Sequence, residues 1–238
     1  MPLVNDVSMI HTYFVTGTDT GVGKTTVAVA LLKAAARRGL TTTAIKPVAA
    51  GCEVTPQGLC NDDALQLQQA CTFAIDYPDI NPVALEPAIA PHFAAQAVGL
   101  KLRAERLVDD CRAVLELAAD FTVIEGAGGW RVPLNDQQTF ADIAIGLDIP
   151  VILVVDIKLG CLNHALLSAE VIREDGLTLA GWVANQAGAR DACHDLMVAD
   201  LRTRLACPLL GDLPYIDSSD GEELAFAINI DHLLPREG

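Results

Sequence analysis

The residues best equipped for chemistry begin with Lys24, which stands between the run GTDTGVG, from Gly17 to Gly23, and the pair Thr25 and Thr26. Glycines let successive backbone N–H groups turn toward anionic oxygens, and a helix start adds a partial positive charge of about half a unit. In that setting the Lys24 ammonium reaches the β- and γ-phosphates of a nucleotide, and the Thr25 hydroxyl ligates the magnesium ion that bridges them. The extended run YFVTG before the loop and the Ala- and Leu-rich stretch after it supply the strand and helix that such a motif requires. The usual motif has four residues between its first glycine and the Gly-Lys pair, whereas five separate Gly17 from Gly23 and Thr18 takes the expected first position. An ordinary Gly-rich turn explains the glycines but not Gly-Lys-Thr-Thr at a helix start. The cluster therefore reads as an ATP-binding phosphate loop.

Other polar residues fall where apolar runs end. Glu125 closes FTVIE ahead of GAGGW, Asp156 closes VILVVD, Asn185 closes WVAN, and Lys46 follows TTAI just before Pro47. A carboxylate beside flexible backbone suits magnesium or its water shell, and spacing alone leaves Glu125 and Asp156 competing for that role. Asp62 and Asp63 open a helix after GLCN, where an acid is also explained as a favourable first-turn residue. Pro47 keeps Lys46 extended and aims it off the strand end, toward the γ-phosphate and an anionic substrate. The five histidines do not fall at metal-ligand spacing, which argues against zinc, and Trp130 and Trp182 read as packing residues.

These groups need a scaffold. Short β-branched runs alternate with stretches of helical spacing, so the expected architecture is α/β: a P-loop NTPase-like open, mainly parallel sheet with helices on both faces. Strands are expected at 12–16, 41–46, 121–125, 151–156, 179–185 and 209–213, and helices at 24–37, 62–71, 104–118, 162–173 and 191–205. Ligands of open α/β sheets bind beyond the carboxyl ends of the strands, which puts Thr16, Lys46, Glu125, Asp156 and Asn185 on one rim. The stretch from Tyr77 to Pro91 holds four prolines and reads as a shaped loop fit to wall a site.

Composition narrows the options. The 238 residues are 51% hydrophobic, enough for one α/β domain spanning 1–238, and no linker or repeat divides them. With a formal net charge of -15 and no Lys/Arg cluster, neither a nucleic acid nor an anionic membrane is an expected partner. Seven scattered cysteines without a Cys-x-x-Cys pair suit a reduced, cytoplasmic protein. The start MPLVNDVSMI lacks the character of a signal peptide, and the apolar stretch from Ile143 to Val155 is interrupted by Asp148 and Pro150.

Taken together, YFVTGTDTGVGKT, KPVAAG, GLCNDDAL, VIEGAGGW, PVILVVDIKLGCLNHA, LTLAGWVAN and PLLGDLPY closely resemble the dethiobiotin synthetase family over nearly the whole length. The resemblance implies a magnesium-dependent reaction of ATP, carbon dioxide and 7,8-diaminononanoate that gives dethiobiotin, ADP and phosphate. It implies Lys46 and Lys24 as catalytic residues and Thr25, Asp63 and Glu125 as magnesium ligands, favouring Asp63 over its helix-capping explanation and Glu125 over Asp156. It assigns ATP contacts to Gly21, Val22, Gly23, Lys24, Thr25, Thr26, Asp63, Glu125, Gly126, Ala127 and Gly128, with Asn185 and Gln186 at the adenine and Leu213, Pro214 and Tyr215 along the base. Substrate contacts fall to Thr20, Ala50 and the segment Leu159, Gly160, Cys161, Leu162 and Asn163, a helix start binding the substrate carboxylate across a homodimer interface. Departures are Ala50 where a serine is expected, Gly21 where glutamate is frequent, and Gln186 where aspartate is common. Two other classes are weighed. A nucleotide-switch ATPase of the partitioning type usually has a second lysine early in the loop, where this chain has Thr18, Asp19 and Thr20; an ATP-dependent amide ligase should lack KLGCLNHA.

Overall fold

The computed structural model describes residues 11–216 and 221–234; the opening decapeptide, expected not to be a signal peptide, lies outside them. In chain order the elements are β1 (His11–Gly17), α1 (Lys24–Arg37), β2 (Thr42–Ile45), β3 (Val48–Ala50), β4 (Glu53–Thr55), β5 (Gly58–Cys60), α2 (Asp62–Ala70), α3 (Tyr77–Ile80), β6 (Val83–Leu85), α4 (Pro91–Ala97), α5 (Ala104–Leu115), β7 (Phe121–Gly129), α6 (Ala141–Leu147), β8 (Val151–Asp156), α7 (Cys161–Glu174), β9 (Leu179–Asn185), α8 (His194–Arg204), β10 (Leu209–Leu213) and α9 (Glu222–Ala225). Six strands make one sheet in the order β10-β9-β8-β1-β7-β2, and every neighbouring pair is parallel. This is the expected sheet, and its strand limits agree with the sequence reading to within two residues except at the carboxyl end of β7.

Strand alternation sorts the core into two layers. Phe14, Ile124, Leu153 and Trp182 pack on one face with α5, α6, α7 and α8, while Val15, Val123, Val154 and Val183 pack on the other with α1, α2 and α9. From Val151 to Val155 each residue of β8 is 0% exposed. Each such side chain stabilises the fold by roughly 1.5–3 kcal/mol, which is why the central strands read as unbroken apolar runs.

The structure departs from the sequence reading in several places: α4, α6 and α9 are not among the expected helices, and four further details differ. The Pro-rich stretch from Tyr77 to Pro91 is not a bare loop: it contains α3, with Pro78 in the first turn where a missing N–H costs nothing, and β6, which pairs parallel with β3. The β4–β5 hairpin had no counterpart in the pattern. Helix α5 stops before 118 because Ala118 adopts a left-handed φ of 57°. Helix α8 starts late because the Asp191 carboxylate accepts the Cys193 N–H at 2.7 Å in a turn ahead of it.

Candidate functional site

The phosphate loop leaves β1 at Gly17 and enters α1 at Lys24. Gly23 sits at the N-cap with φ 88°, and a Cβ there would lie 2.1 Å from Asn185 Nδ2, so only glycine is accommodated. The same Asn185 amide donates to the Val22 carbonyl at 2.8 Å, tying the loop to the end of β9. Helix α1 has neither a side-chain cap nor an acid in its first turn, leaving its initial N–H groups available to an anion. Lys24 is 7% exposed and donates to the Asp19 carbonyl at 3.2 Å. Burial pulls its ammonium below the ordinary lysine pKa against the opposing influence of Glu125.

The second feature follows from strand register. Ile45 on β2 pairs with Ile124 on β7, so Lys46 and Glu125 leave the sheet side by side. Ala44 and Val123, two residues earlier, face the α1 and α2 layer, and the charged pair continues on that side. Lys46 Nζ donates to Glu125 Oε1 and to Asp63 Oδ2, both at 2.7 Å, and the Thr25 hydroxyl donates to Glu125 Oε1 at 2.9 Å. Glu125 is 0% exposed, and its second oxygen, Oε2, is buried without a hydrogen-bond partner. Burial alone would lower the Lys46 pKa, but Glu125 and Asp63 outweigh it and the ammonium is held above its ordinary value. Burial would likewise raise the pKa of Asp63, yet Lys46 dominates and keeps the carboxyl below its usual range. Asp63 is free for this because the α2 cap is supplied by Asn61, whose side chain accepts the Ala64 N–H at 3.4 Å.

A cleft of about 720 Å³ gathers these groups. Of the residues expected from sequence, Thr20, Gly21, Gly23, Lys24, Thr25, Thr26, Lys46, Ala50, Asp63, Glu125, Ala127 and Gly128 line it. Val22 and Thr16 are buried beneath the rim. Asn185, Gln186 and the segment from Leu213 to Tyr215 form a separate stretch in which the Gln186 N–H donates to the Leu213 carbonyl at 3.2 Å and Tyr215 stands exposed. Leu159 to Asn163 do not line the cleft. Asp156 Oδ1 accepts the Ala187 N–H at 3.0 Å and Oδ2 pairs with Lys158 at 2.9 Å, so both its oxygens are engaged. Trp130 and Trp182 are packing residues, as expected; Trp130 meets Phe14 edge-on and donates to Asp175 Oδ2 at 2.7 Å.

Sequence reasoning missed Gln66, Val48, Ala49 and Val132 in the lining. It also missed Asn81, whose amide donates to the Lys46 carbonyl at 2.8 Å while the Lys46 N–H donates to the Ile80 carbonyl at 2.7 Å. The Asn-Pro dipeptide was its one visible signal. Ala88 to Pro91, from the Pro-rich stretch, do form a wall of the cleft.

Asp63, Glu125 and the Thr25 hydroxyl are oxygen donors suited to a hard cation, and Glu125 Oε2 is a buried acceptor left over for one. Among the described residues no group of three or more His, Cys, Asp or Glu side chains stands ready to hold a metal by itself. A cation here would take its remaining ligands from phosphate and water, which is how Mg²⁺ is usually held.

Comparison with known proteins gives the family. An ATP-dependent dethiobiotin synthetase from Marinobacter nauticus is 54% identical over 90% of this chain and 92% of its own. The chain belongs to the ATP-dependent dethiobiotin synthetase family. Other dethiobiotin synthetases similar to it come from Pseudomonas paraeruginosa, 53% identical over 92% of this chain and 95% of that one, and Vibrio parahaemolyticus, 45% over 95% and 99%. A family model described as an AAA domain matches residues 11–223. Among solved structures, the signal recognition particle receptor FtsY from Elizabethkingia anophelis, in complex with GDP, superimposes with TM-score 0.57 at 15% identity, covering 94% of this chain and 65% of that one. FtsY from Thermotoga maritima gives 0.51 at 14% over 98% and 74%. That likeness extends to the fold, and the dethiobiotin synthetase family shares with it the parallel sheet on which the phosphate loop is built.

Proposed function

We propose that this chain is an ATP-dependent dethiobiotin synthetase, a carbon–nitrogen ligase of biotin biosynthesis that closes the ureido ring of dethiobiotin from 7,8-diaminononanoate and carbon dioxide. The observation that carries the reading is Lys46, buried between Asp63 and Glu125 directly beside the phosphate loop. A plain nucleotide-binding loop has no need of a second buried ammonium at the γ-phosphate end; a reaction that brings a carbamate to that phosphate does.

In this scheme one substrate amine adds to carbon dioxide, losing a proton and forming a carbamate. A carbamate oxygen attacks the γ-phosphorus, and the bond to the bridging oxygen of ADP breaks. The neighbouring amine then attacks the carbonyl carbon of the mixed anhydride, the carbon–oxygen bond to phosphate breaks, and phosphate leaves with the proton the amine gives up as the ring closes. Lys24 and the N–H groups at the start of α1 hold the β- and γ-phosphates. Lys46, kept protonated by its two carboxylates, steadies the anionic carbamate and the phosphoryl group passing between oxygens. Thr25, Asp63 and Glu125 would hold Mg²⁺, which when bound offsets phosphate charge. Thr20, Ala50 and Gly128 border the diamine.

Catalysis in this reading belongs to one domain working in the cytoplasm as a homodimer. The carboxylate of the diamino acid meets the start of α7 from a second copy. Gly160 caps that helix with φ 95° and no side-chain cap; the Cys161 N–H donates to the Lys158 carbonyl at 3.0 Å, and Leu159 beside the helix start is 91% exposed. Asn185, Gln186 and the exposed Tyr215 border the base. Among the described residues no helix is long and apolar enough to cross a membrane.

The test is phosphate release from Mg-ATP and bicarbonate with and without 7,8-diaminononanoate. Release that depends on the diamino acid, with dethiobiotin formed in equal amount, is the expected result. Release without the diamino acid, or none with it, overturns the reading.

A further inference from the structure

The lining of the cleft is of two kinds. One carries Lys24, Lys46, Asp63 and Glu125, and the other is an apolar wall of Ala49, Ala50, Ala88, Ile89, Ala90 and Val132 with no charged side chain among them. Ile89 is the largest aliphatic side chain on this wall: it lines the cleft yet remains 52% exposed, and Ala88 and Ala90 on either side of it are exposed too but are too small to shield it. Its position is fixed by backbone. The Cys52 N–H donates to the Leu85 carbonyl at 2.9 Å, and the Gly51 and Ile89 N–H groups both donate to the Pro87 carbonyl, at 3.1 and 2.9 Å. A Cβ on Gly51 would come within 3.3 Å of Ala88 Cβ, so the segment lies directly against the end of β3.

A branched aliphatic side chain held open on a rigid cleft wall gains free energy only when something apolar covers it. We propose that Ile89 selects for the aliphatic chain of the diamino acid, closing over the methylenes that separate the reacting nitrogens from the carboxylate. This rests on the ring-closing reading above and adds to it a residue that sets chain-length preference. Lys46 and the phosphate loop decide whether a vicinal diamine reacts; Ile89 decides how tightly a long one is held before it does.

The test uses the full chain and steady-state kinetics with 7,8-diaminononanoate and, in parallel, propane-1,2-diamine, which has the two amines but neither chain nor carboxylate. Ile89→Ala should raise the KM for the diamino acid about tenfold, the size of a lost aliphatic contact in a pocket. Its kcat and its KM for ATP should stay within about twofold, and Ile89→Leu should restore the KM. With the short diamine, wild type and Ile89→Ala should behave alike. The inference is overturned by an unchanged KM, by an equal loss with the short diamine, by a change confined to ATP, or by a shifted monomer–dimer equilibrium, which would assign Ile89 to a subunit contact. Lack of diamine-dependent turnover in the wild type removes the ring-closing reading and this inference together, whereas an unchanged KM in an active variant removes this inference alone.

Discussion

Strands β7 and β8 flank β1 on its two sides, and the apolar run of each closes on a carboxylate with little or no exposure, yet the two have opposite surroundings. Asp156, at the end of β8, has both oxygens spent on the Ala187 N–H and Lys158. Glu125, within β7 where its apolar run gives way to Gly126, places Lys46 and Thr25 on a single oxygen and leaves the other buried and unpartnered. An orphaned buried acceptor costs about 1–3 kcal/mol unless something pairs with it. Asp156 is therefore a finished structural joint, whereas Glu125 keeps one oxygen for the cation proposed above. Spacing could not separate the two, because both close an apolar run of similar length; only the family resemblance favoured Glu125.

Removing the ammonium that distinguishes the Glu125 side should have the largest effect. Lys46→Ala is expected to cut turnover by roughly 10³-fold or more, the scale of a lost charge stabiliser in a preorganised site. Affinity for a non-hydrolysable ATP analogue should change little, because the phosphate loop, α1 and Lys24 are untouched. Without a cation the variant also leaves the wholly buried Glu125 uncompensated, a loss of about 3–5 kcal/mol, so its thermal midpoint should fall and recover as Mg²⁺ is added. Ring closure at the wild-type rate would remove Lys46 from the mechanism.

Next in size is the acceptor itself. Glu125→Gln keeps the shape but gives up the charge, so Lys46 retains only the half-exposed Asp63 as its partner. Turnover should drop by about 10²-fold, and the Mg²⁺ concentration for half-maximal rate should rise about tenfold or more. A magnesium titration of both enzymes checks this. An unchanged midpoint would mean that the cation is held elsewhere.

The phosphate loop was fully legible in the sequence because its chemistry is local: glycines, Lys24 and Thr25 act through backbone conformation over nine residues, and the strand and helix around them are periodic. The sheet was equally readable, since strands buried on both faces must be continuously apolar. What escaped was non-local. Lys46 meets Glu125 through the register of β2 on β7, a property of pairing that neither strand shows alone. Asn81 supports Lys46 from a segment of four prolines, where turn signals conceal a short helix and strand. Spacing alone could not tell Asp63 from a helix-capping acid; the resemblance favoured it, and the structure gives the physical reason, since Asn61 holds the cap. Ile89 gave no signal at all, because an aliphatic residue in a Pro-rich stretch is noteworthy only once the cleft beside it is known.

The smallest effect belongs to the other strand end, and it makes the comparison a controlled one. Asp156→Asn preserves Oδ1 as an acceptor for the Ala187 N–H and removes only the charge facing Lys158, whose side chain is 62% exposed. An ion pair with so exposed a partner contributes at most about 1 kcal/mol, and less at high salt. The Lys158 pKa, now raised chiefly by its hydrogen bond to Asp156, should fall back toward the ordinary lysine value. Turnover and the Mg²⁺ midpoint should stay within about threefold of wild type, while Asp156→Ala, which also strands the Ala187 N–H, should cost a further 1–3 kcal/mol or so by denaturant unfolding. If Asp156→Asn instead raised the magnesium requirement as Glu125→Gln is expected to, the contrast between spent and unspent carboxylates would fail as a guide to this site. The cation would then have to be sought on the β8 side of the loop.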